Sequence, residues 1–475
     1  MKIQNLALTS MLLALTATAC SKPSEASKIS AKPESSQDDS AQQSLLEESP
    51  KQTDVMVQLF NYPFKNITSE MKTLADIGYA QIHVSPPNLT IDSDQWWGRY
   101  QPVDYRVIAG PLGSEKDFRE MIKTAHANGI KIIVDIVFNH TNNPVSPLPK
   151  EAVDLLAKAG PLFTDADYHE NSCISNYNDV WQVRNLRMCG GGADQGLPDL
   201  SQDSAHVLKV QQDFLKRLNS MGVDGFRLDA IKHMEPAYFS KLLTPDITKG
   251  KFIFGEIIAD QASFDRDLAP YLSATDMSLY DFPLRDTLQK SLGFGGSLKT
   301  LADTTLVDSE RALPWNRAVT FVMNHDIPNN AGFRSWIPNE TDEELSYAYL
   351  LGRAEGVPYV YSDLGTKGGA GLIDDRWDHA HRKFSTAQGV KFHNHVFGEG
   401  QNVLYADDCL LVVQRGTKGV FGINKCDEER NFNLHYIWPN GEKVVELITK
   451  AELGAYQDLE LPGRSARFVV ATKTK

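Results

Sequence analysis

The feature that most constrains this chain is a short apolar run that ends in a charged side chain. Residues 223–228 form such a run, and Asp229 follows it directly. The run is too short for a helix and contains Gly225, so we interpret it as a buried strand. Arg227 and Asp229 lie two positions apart, which places both side chains on one face of a strand. A guanidinium there would keep the carboxylate ionised and oriented, as a nucleophile requires, although an isolated pair of this kind is more often structural.

The same pattern recurs in three other segments, where apolar runs end in acidic, asparagine or histidine side chains. These segments are residues 131–140, 251–256 and 318–326. Several parallel strands that each carry polar groups at the carboxyl end are typical of the catalytic face of a (β/α)8 barrel. In order, spacing and local context, the four segments resemble the conserved regions of the α-amylase family of glycoside hydrolases.

The resemblance implies an α/β protein: a (β/α)8 TIM barrel, an inserted small domain after strand 3, and a C-terminal antiparallel β-sandwich domain. The sequence supports this division, because the Gly-, Asn- and Pro-rich residues 141–198 are too long for a structureless loop inside a compact domain. Short alternating runs with turn residues between them predict antiparallel strands after the barrel. The predicted boundaries are 54–140 and 199–397 for the barrel, 141–198 for the inserted domain, and 398–475 for the β domain.

The resemblance also assigns three carboxyl groups to catalysis. It implies that Asp229 is the nucleophile, that Glu256 is the general acid and later the base, and that Asp326 binds sugar hydroxyls. We expect apolar neighbours and nearby negative charge to raise the pKa of Glu256. His140 and His325 match two histidines that hydrogen-bond the same sugar.

A polar loop with several aromatic residues is a further candidate for substrate contact. Trp96, Trp97 and Tyr100 offer flat apolar faces on which sugar rings stack, although alone they would also fit a local hydrophobic cluster. Their segment, WWGRYQP, resembles the sugar platform of the animal-type branch of the family. The resemblance adds further substrate-binding side chains: Arg227, Lys232 and His233.

The resemblance implies a calcium site built from oxygen atoms of several segments. Asn139 and Asp199 match side-chain ligands, and Arg184 and His233 match residues at which the family binds calcium through a backbone carbonyl. Such a site would join the inserted domain to the barrel. The alternative is a structure held there by hydrogen bonds alone.

Chloride is where the chain departs from the animal-type pattern. Enzymes of that branch bind an activating chloride through two arginines and an asparagine. Arg227 and Asn324 match two of these residues, and Tyr359 stands in place of the remaining arginine. Because that positive charge is missing, we predict an activity that does not depend on chloride.

The N-terminal residues predict export. Lys2, an apolar core over residues 6–17 and small residues before Cys20 form a signal peptide over residues 1–19. The small residues fit an ordinary signal-peptidase site and, with the cysteine, also resemble a bacterial lipobox. Residues 20–53 are rich in Ser, Lys, Glu, Gln and Pro, which suits a disordered tether. We therefore predict a lipidated Cys20 and a place in the bacterial cell envelope, at the outer membrane, with secretion or periplasmic release as the alternative.

The chain has five cysteines, so lipidation of Cys20 would leave an even number. We predict two short-range disulfides, Cys173–Cys189 and Cys409–Cys426, in an oxidising compartment. Four free thiols are the alternative. No Cys-x-x-Cys spacing indicates a metal or redox site.

Acidic residues outnumber basic ones, 61 against 48, which gives a formal net charge of -13. This balance argues against nucleic acid as a partner and suits a neutral polymer. We predict a monomeric α-amylase that hydrolyses internal α-1,4 bonds of starch or glycogen and touches a membrane only through its lipid. A maltogenic or glucan-transferring enzyme, and a non-catalytic glucan-binding lipoprotein, are the alternatives.

Overall fold

The structure, a computed structural model, describes residues 52–190, 194–364, 375–438, 442–454 and 457–472. The predicted signal peptide, the lipidation site Cys20 and nearly all of the tether lie outside these residues. Within the described ranges, no helix combines the length and the apolar character needed to cross a bilayer.

Eight parallel strands close into a barrel, which confirms the predicted fold class. Together with a hairpin outside the barrel (β3 and β4), the first ten strands are β1 (Met56–Phe60), β2 (Gln81–Val84), β3 (Asn88–Thr90), β4 (Pro102–Ile108), β5 (Lys131–Ile136), β6 (Gly225–Leu228), β7 (Phe252–Gly255), β8 (Ser278–Tyr280), β9 (Ala318–Phe321) and β10 (Val357–Asp363). Around the barrel the order is β1-β2-β5-β6-β7-β8-β9-β10, and β10 pairs with β1. Because neighbouring strands run parallel, their carboxyl ends meet at one rim.

Helices connect the barrel strands, and several of them begin after a capping side chain. The α-helices are Phe64–Ile77, Glu115–Ala127, Lys150–Ala159, Val180–Asn185, Ala205–Ser220, Tyr238–Leu242, Pro245–Thr248, Phe264–Asp267, Ala269–Ala274, Phe282–Leu292, Asp326–Asn329, Glu340–Gly352 and Phe384–Val396. Before Glu115–Ala127, the side chains of Ser114 and Asp117 accept hydrogen bonds from each other's backbone N–H groups, which forms a capping box. Phe118 and Met121 lie three positions apart in that helix and are buried, as its amphipathic pattern requires.

The segment between β5 and helix Ala205–Ser220 has structure of its own. It carries the helices Lys150–Ala159 and Val180–Asn185, and the predicted disulfide Cys173–Cys189 is present, with Cα atoms 5.8 Å apart. An antiparallel bridge between His140 and Asp199 ties the two ends of the segment together. The limits of an inserted domain at 141–198 stay a prediction.

The chain after the barrel forms antiparallel sheets. The strands are β11 (Gln401–Ala406), β12 (Leu410–Arg415), β13 (Gly419–Asn424), β14 (Arg430–Asn433), β15 (Val444–Glu446), β16 (Glu452–Leu453), β17 (Asp458–Leu461) and β18 (Ser465–Ala471). Six of them form one sheet in the order β11-β12-β13-β18-β15-β16, and β14 pairs with β17. The predicted disulfide Cys409–Cys426 is also confirmed, with Cα atoms 5.2 Å apart.

Lys425 joins this C-terminal sheet to the barrel. Its ammonium donates hydrogen bonds to the carbonyl oxygens of Ser291, Gly293 and Gly296, at distances of 2.9, 3.0 and 2.6 Å. These carbonyls lie at the end of helix Phe282–Leu292, where a positive charge is favoured by the helix dipole. The sheet therefore fixes the end of helix Phe282–Leu292.

Candidate active site

The polar residues at the ends of the predicted strands converge at the carboxyl rim of the barrel. Asp135 lies in β5 and pairs in register with Arg227 of β6. Asp229 follows β6, Glu256 follows β7, and Asp326 begins the short helix after β9. Parallel pairing of β5, β6 and β7 thus brings carboxyl groups from distant parts of the chain to one place.

Arg227 is the centre of this cluster and is fully buried. Its Nη1 lies 2.8 Å from Asp135 Oδ1 and 2.7 Å from Asp229 Oδ1, and its Nη2 lies 2.6 Å from Glu256 Oε1. The guanidinium thus orients three carboxyl groups, and it also lies 5.8 Å from the ring centroids of Tyr100 and of Tyr280. Contrary to the expectation from the sequence, it does not keep Asp229 ionised at neutral pH, because burial raises the pKa of this carboxyl group to about 8. The predicted contact of Arg227 with substrate stays untested.

A second layer of side chains fixes Asp135. Its Oδ2 accepts a hydrogen bond from the Tyr100 hydroxyl at 2.8 Å and lies 3.3 Å from Nε2 of His83. The other ring nitrogen of His83 lies 2.8 Å from the hydroxyl of Tyr359. Sequence analysis did not single out His83, and the one local signal was a polar residue inside the apolar strand β2.

His325 is held by ring stacking and by one hydrogen bond. Its ring stacks on Tyr100, with centroids 4.7 Å apart and planes 3° apart, and on Phe60 at 4.8 Å. Its Nδ1 lies 3.0 Å from Nε2 of Gln58, and its Nε2 lies 3.6 Å from Oδ2 of Asp326. The ring orientation is therefore fixed beside that carboxyl group. Gln58 is another residue that sequence analysis missed.

The backbone after Asp229 takes an uncommon conformation that serves the cluster. Ala230 has φ 50°, in the left-handed region that costs a non-glycine residue roughly 1–2 kcal/mol. Its N–H donates to Oε2 of Glu256 at 3.2 Å. Strain of this kind collects at functional sites because the surrounding contacts enforce it.

Burial and like charges dominate the electrostatics of the cluster. Burial raises the pKa of Asp229 to about 8; Arg227 opposes this rise, and the negative charges of Glu256 and Asp135 add to it. Burial and Glu256 likewise raise the pKa of Asp326 well above its usual range. Burial also tends to raise the pKa of Asp135, but Arg227 and His83 overcome it and hold this pKa well below its usual range.

The histidines of the site add no positive charge at neutral pH. Burial lowers the pKa of His83 and lowers that of His325 well below its usual range. Burial also lowers the pKa of His140 to about 4, and its Nε2 donates to the carbonyl of Tyr100 at 2.9 Å. Arg227 therefore supplies the positive charge that balances the carboxyl groups.

The predicted aromatic loop forms the 3-10 helix Trp96–Tyr100 beside this cluster. Tyr100 is buried, so its ring supports His325, and its hydroxyl binds Asp135. Trp97 is 37% exposed, and the ring of Trp96 lies 6.3 Å from that of His325. The tryptophans thus keep surface that a ligand can reach, and the Tyr100 ring is packed against His325. The predicted sugar contacts of all three residues stay predictions.

Lys232 and His233 lie next to the cluster on the 3-10 turn Ile231–His233. The Lys232 ammonium lies 2.8 Å from Asp267 Oδ2 and donates to the carbonyl of Ile258 at 3.2 Å. The His233 ring is buried, and its Nδ1 donates to the carbonyl of Val183 at 2.8 Å. His233 thus connects the barrel to helix Val180–Asn185.

The predicted calcium residues come from segments that meet at this connection. Asn139 and Asp199 are buried, and one side-chain oxygen of each, Oδ1, has no hydrogen-bond partner among the described residues. The other oxygen of Asp199 lies 2.5 Å from Nδ1 of His169. Among the described residues there is no group of three or more His, Cys, Asp or Glu arranged for a metal. A cation here would therefore need amide and carbonyl oxygens as well, as the predicted set provides, and the two unpaired oxygens fit it.

Carboxyl groups clustered at the carboxyl rim of an eight-stranded parallel barrel are typical of enzymes with this fold. The family model for the alpha amylase catalytic domain matches residues 63–370. The chain is 39% identical over 406 residues to an alpha-amylase of Aeromonas hydrophila, which covers 80% of this chain and 86% of that protein. It is 29% identical to an alpha-amylase of Thermomonospora curvata, over 78% of this chain and 64% of that protein. The chain belongs to the alpha-amylase family of glycoside hydrolases.

Solved structures share the fold. Alpha-amylase I from Eisenia fetida superimposes with a TM-score of 0.73 at 24% identity, over 90% of this chain and 97% of that one. An alpha-amylase from Geobacillus thermoleovorans gives a TM-score of 0.69 at 19% identity, over 90% and 100% of the two chains. The barrel and the C-terminal sheet are thus a known arrangement.

The pKa directions predict how single carboxyl-to-amide changes alter stability. The folded state keeps a proton on Asp229 that the unfolded chain loses near pH 4, so the stability contributed by this residue falls as the pH rises from about 4 to about 8. Asp229→Asn removes the free-energy cost of ionising this buried carboxyl group. We expect its melting temperature to exceed that of the parent protein at pH 8, by a margin that shrinks towards pH 5.

Asp135→Asn is the matched control with the opposite sign. The lowered pKa of Asp135 means that its carboxylate stabilises the folded state above about pH 4, and loss of this buried ion pair should cost about 3–5 kcal/mol at pH 7. Thermal unfolding followed by circular dichroism at pH 5 and pH 8 measures both variants. A melting temperature of Asp229→Asn below that of the parent at pH 8 would contradict the account.

Proposed function

We propose that this protein is an endo-acting α-amylase that hydrolyses α-1,4-glucosidic bonds in starch, glycogen and related oligosaccharides. The observation that carries the proposal is the pair of carboxyl groups, Asp229 and Glu256, held on one guanidinium at the carboxyl rim of the barrel. Family membership supports the reaction class. Retaining glycosidases use two carboxyl groups about 5–5.5 Å apart, and a guanidinium shared by Asp229 and Glu256 is a means of holding two such groups near one another.

The proposed reaction uses two displacements. Asp229 attacks the anomeric carbon while Glu256 gives its proton to the leaving oxygen, which forms a covalent glycosyl-enzyme. Glu256, now ionised, then takes a proton from water, and that water releases the sugar from Asp229. Arg227 orients both carboxyl groups in each step.

In the proposed reaction the other polar groups of the cluster bind the sugar, and they contribute to the net charge of the site. In this proposal Asp326 accepts hydrogen bonds from sugar hydroxyls, and the neutral His140 and His325 hydrogen-bond the same sugar ring. The raised pKa values of Asp229 and Asp326 mean that the resting cluster retains protons at neutral pH. Catalysis needs a proton on Glu256 and a charge on Asp229, so we expect activity to fall as the pH drops.

Product analysis on soluble starch tests the proposal. The full chain should cause rapid loss of viscosity and release a mixture of oligosaccharides, which is the signature of cleavage inside the polymer. Asp229→Asn should lower kcat by at least about 10³-fold because it removes the nucleophile, without loss of glucan binding. A single short product would favour the maltogenic reading, and glucan-transfer products would favour a transferase. Tight binding of starch without release of any sugar would contradict the proposed enzymatic activity.

We also propose that calcium joins the segment after β5 to the barrel. Asn139 and Asp199 would supply their unpaired side-chain oxygens, and Arg184 and His233 would supply backbone carbonyls. When bound, calcium would neutralise the carboxylate of Asp199 and fix the chain beside the catalytic cluster. Burial raises the pKa of Asp199 to about 6, although His169, Asn139 and Arg187 act against that rise.

Calcium dependence is measurable without an activity assay. We expect chelation to lower the melting temperature, calcium to restore it, and Asp199→Asn to abolish most of this response. Asp167→Asn is the matched control, because Asp167 is buried in the same segment but is satisfied by Thr164, Ser204 and His206. That variant should be less stable and keep its response to calcium. A parent melting temperature that calcium leaves unchanged would refute the site.

We further propose that activity does not depend on chloride. Arg227 Nε and Asn324 Nδ2 are buried without hydrogen-bond partners among the described residues, so two donors of an anion site remain. The third position is the uncharged Tyr359, whose hydroxyl is engaged with His83. Burial raises the pKa of Tyr359 well above its usual range, so it stays uncharged. An additional anion would then lie among carboxyl groups with one arginine to balance it.

Turnover in chloride-free buffer should therefore match turnover in sodium chloride. Sodium sulfate at the same ionic strength separates a specific chloride effect from ionic screening. A severalfold rise in kcat on adding chloride, and not on adding an inert salt such as a sulfate, would refute the prediction.

We propose export with lipidation of Cys20, a tether over residues 20–53 and a place in the bacterial cell envelope. The signal-like residues 1–19 and the two confirmed disulfides support an oxidising compartment. The partner is an α-glucan, with membrane contact through the lipid and no nucleic acid, and we expect a monomer. Cys20→Ser should move the protein from the membrane fraction to the soluble fraction. If the parent itself is soluble, secretion or periplasmic release is correct.

A further inference from the structure

The chain enters the barrel at its amino rim, opposite the catalytic cluster. Gln52 Nε2 donates to the carbonyl of Asn128 at 3.4 Å, and Asn128 lies just before β5. The Thr53 hydroxyl donates to Oδ1 of Asn394 at 2.6 Å. Asn394 in turn donates to the carbonyl of Gly78, before β2, at 2.9 Å. Because parallel strands all begin at one rim, these contacts place residues 52 and 53 at the amino rim.

The proposed lipid anchor lies only a short stretch of chain away from this rim. Residues 21–51 separate Cys20 from Gln52. A flexible tether of that length has an r.m.s. end-to-end distance of roughly 30 Å. A contact between the barrel and the bilayer is then intramolecular, with an effective concentration of about the millimolar range. A modest surface on the amino rim is therefore enough to orient the anchored protein.

An exposed tryptophan lies on the same rim. Trp315 is 67% exposed and lies in the loop just before β9. Arg317 fixes this loop, because its backbone N–H donates to the carbonyl of Pro314 at 2.8 Å and its Nε donates to the carbonyl of Met277 at 2.9 Å. Met277 directly precedes the neighbouring strand β8. Tryptophan is enriched at membrane surfaces, since its ring is apolar and its N–H is polar.

Two exposed ammonium groups accompany this tryptophan on the amino rim. Lys131 begins β5 and Lys249 lies just before β7. Neither has an ion-pair partner in the part of the chain that the structure describes. Asp276, an exposed carboxylate before β8, interacts electrostatically with Arg317. The whole chain has a formal net charge of -13, so it approaches an anionic bilayer most favourably with a face that presents cations.

The carboxyl rim has to stay clear of the bilayer, because a polymer must reach the catalytic cluster there. Exposed aromatic residues occur on that side too. Trp181 is 59% exposed and lies in helix Val180–Asn185, where the carbonyl of Val183 accepts from His233, a residue that follows β6. The two rims are opposite ends of the same strands, so contact at the amino rim leaves the carboxyl rim open.

We propose that the amino rim, through Trp315, Lys131 and Lys249, is the surface with which the lipid-anchored protein contacts an anionic bilayer. The inference rests on the proposed lipidation of Cys20 and goes beyond it, because it states which face of the protein meets the membrane. The catalytic cluster then points away from the bilayer, towards the glucan.

Quenching of tryptophan fluorescence by brominated lipid tests the orientation. The full lipidated chain is inserted into vesicles of brominated phosphatidylcholine with phosphatidylglycerol, and its emission is compared with that in the same vesicles without bromine. We expect the bromine to quench the parent, and Trp315→Phe to lose most of this quenching. Trp181→Phe is the matched control, because Trp181 is similarly exposed on the opposite side of the barrel, and it should keep the quenching of the parent.

The outcomes separate this surface from the proposed anchor. A parent protein that does not sediment with the vesicles would refute the lipid anchor and the surface together. If the parent is anchored but is not quenched, or if Trp315→Phe is quenched as strongly as the parent, the amino rim does not contact the bilayer. Loss of quenching in Trp181→Phe instead would show that the carboxyl rim faces the membrane.

The two lysines are tested in the same vesicles. Lys131→Gln combined with Lys249→Gln should weaken the quenching at low ionic strength, and added salt should weaken the quenching of the parent in the same way. All three side chains are exposed, so the melting temperatures of the variants should match that of the parent. Quenching that neither the lysine changes nor salt reduces would contradict the charge contribution to this surface.

Discussion

The site depends on one buried guanidinium. Arg227 contacts the carboxyl groups of Asp135, Asp229 and Glu256, which come from β5 and from the ends of β6 and β7. In a low-dielectric interior these carboxyl groups repel one another and lose hydration, so a cation at their centre is needed to keep them together. Parallel pairing of β5 and β6 fixes Arg227 opposite Asp135, and the barrel thereby sets the geometry of the other two groups.

Holding these carboxyl groups together in a buried site lowers the stability of the folded state. A carboxyl group such as Asp229, whose pKa burial raises to about 8, makes the folded state less stable as it ionises. The left-handed backbone at Ala230 adds strain. In this conformation the Ala230 N–H donates to the carboxyl group of Glu256, which Arg227 also contacts. Tyr100 and His83 support the site through Asp135, since the Tyr100 hydroxyl donates to its carboxyl group and the His83 ring lies 3.3 Å from it.

Barrel strands and both disulfides could be predicted from local sequence. The apolar run at 223–228 became β6 (Gly225–Leu228), and cysteine spacing indicated both disulfides. Tertiary partners could not be predicted this way. His83 and Gln58 are single polar residues in apolar strands, and nothing local shows which strand will lie beside them.

The central claim is that Arg227 holds Asp229 and Glu256 for a double displacement at the anomeric carbon. Proton NMR of the first products from maltoheptaose, recorded before mutarotation, tests it most directly. Two displacements return the original configuration, so the account predicts that the α-anomer appears first and the β-anomer only later by mutarotation. Initial release of the β-anomer would show a single displacement by water and would contradict the account.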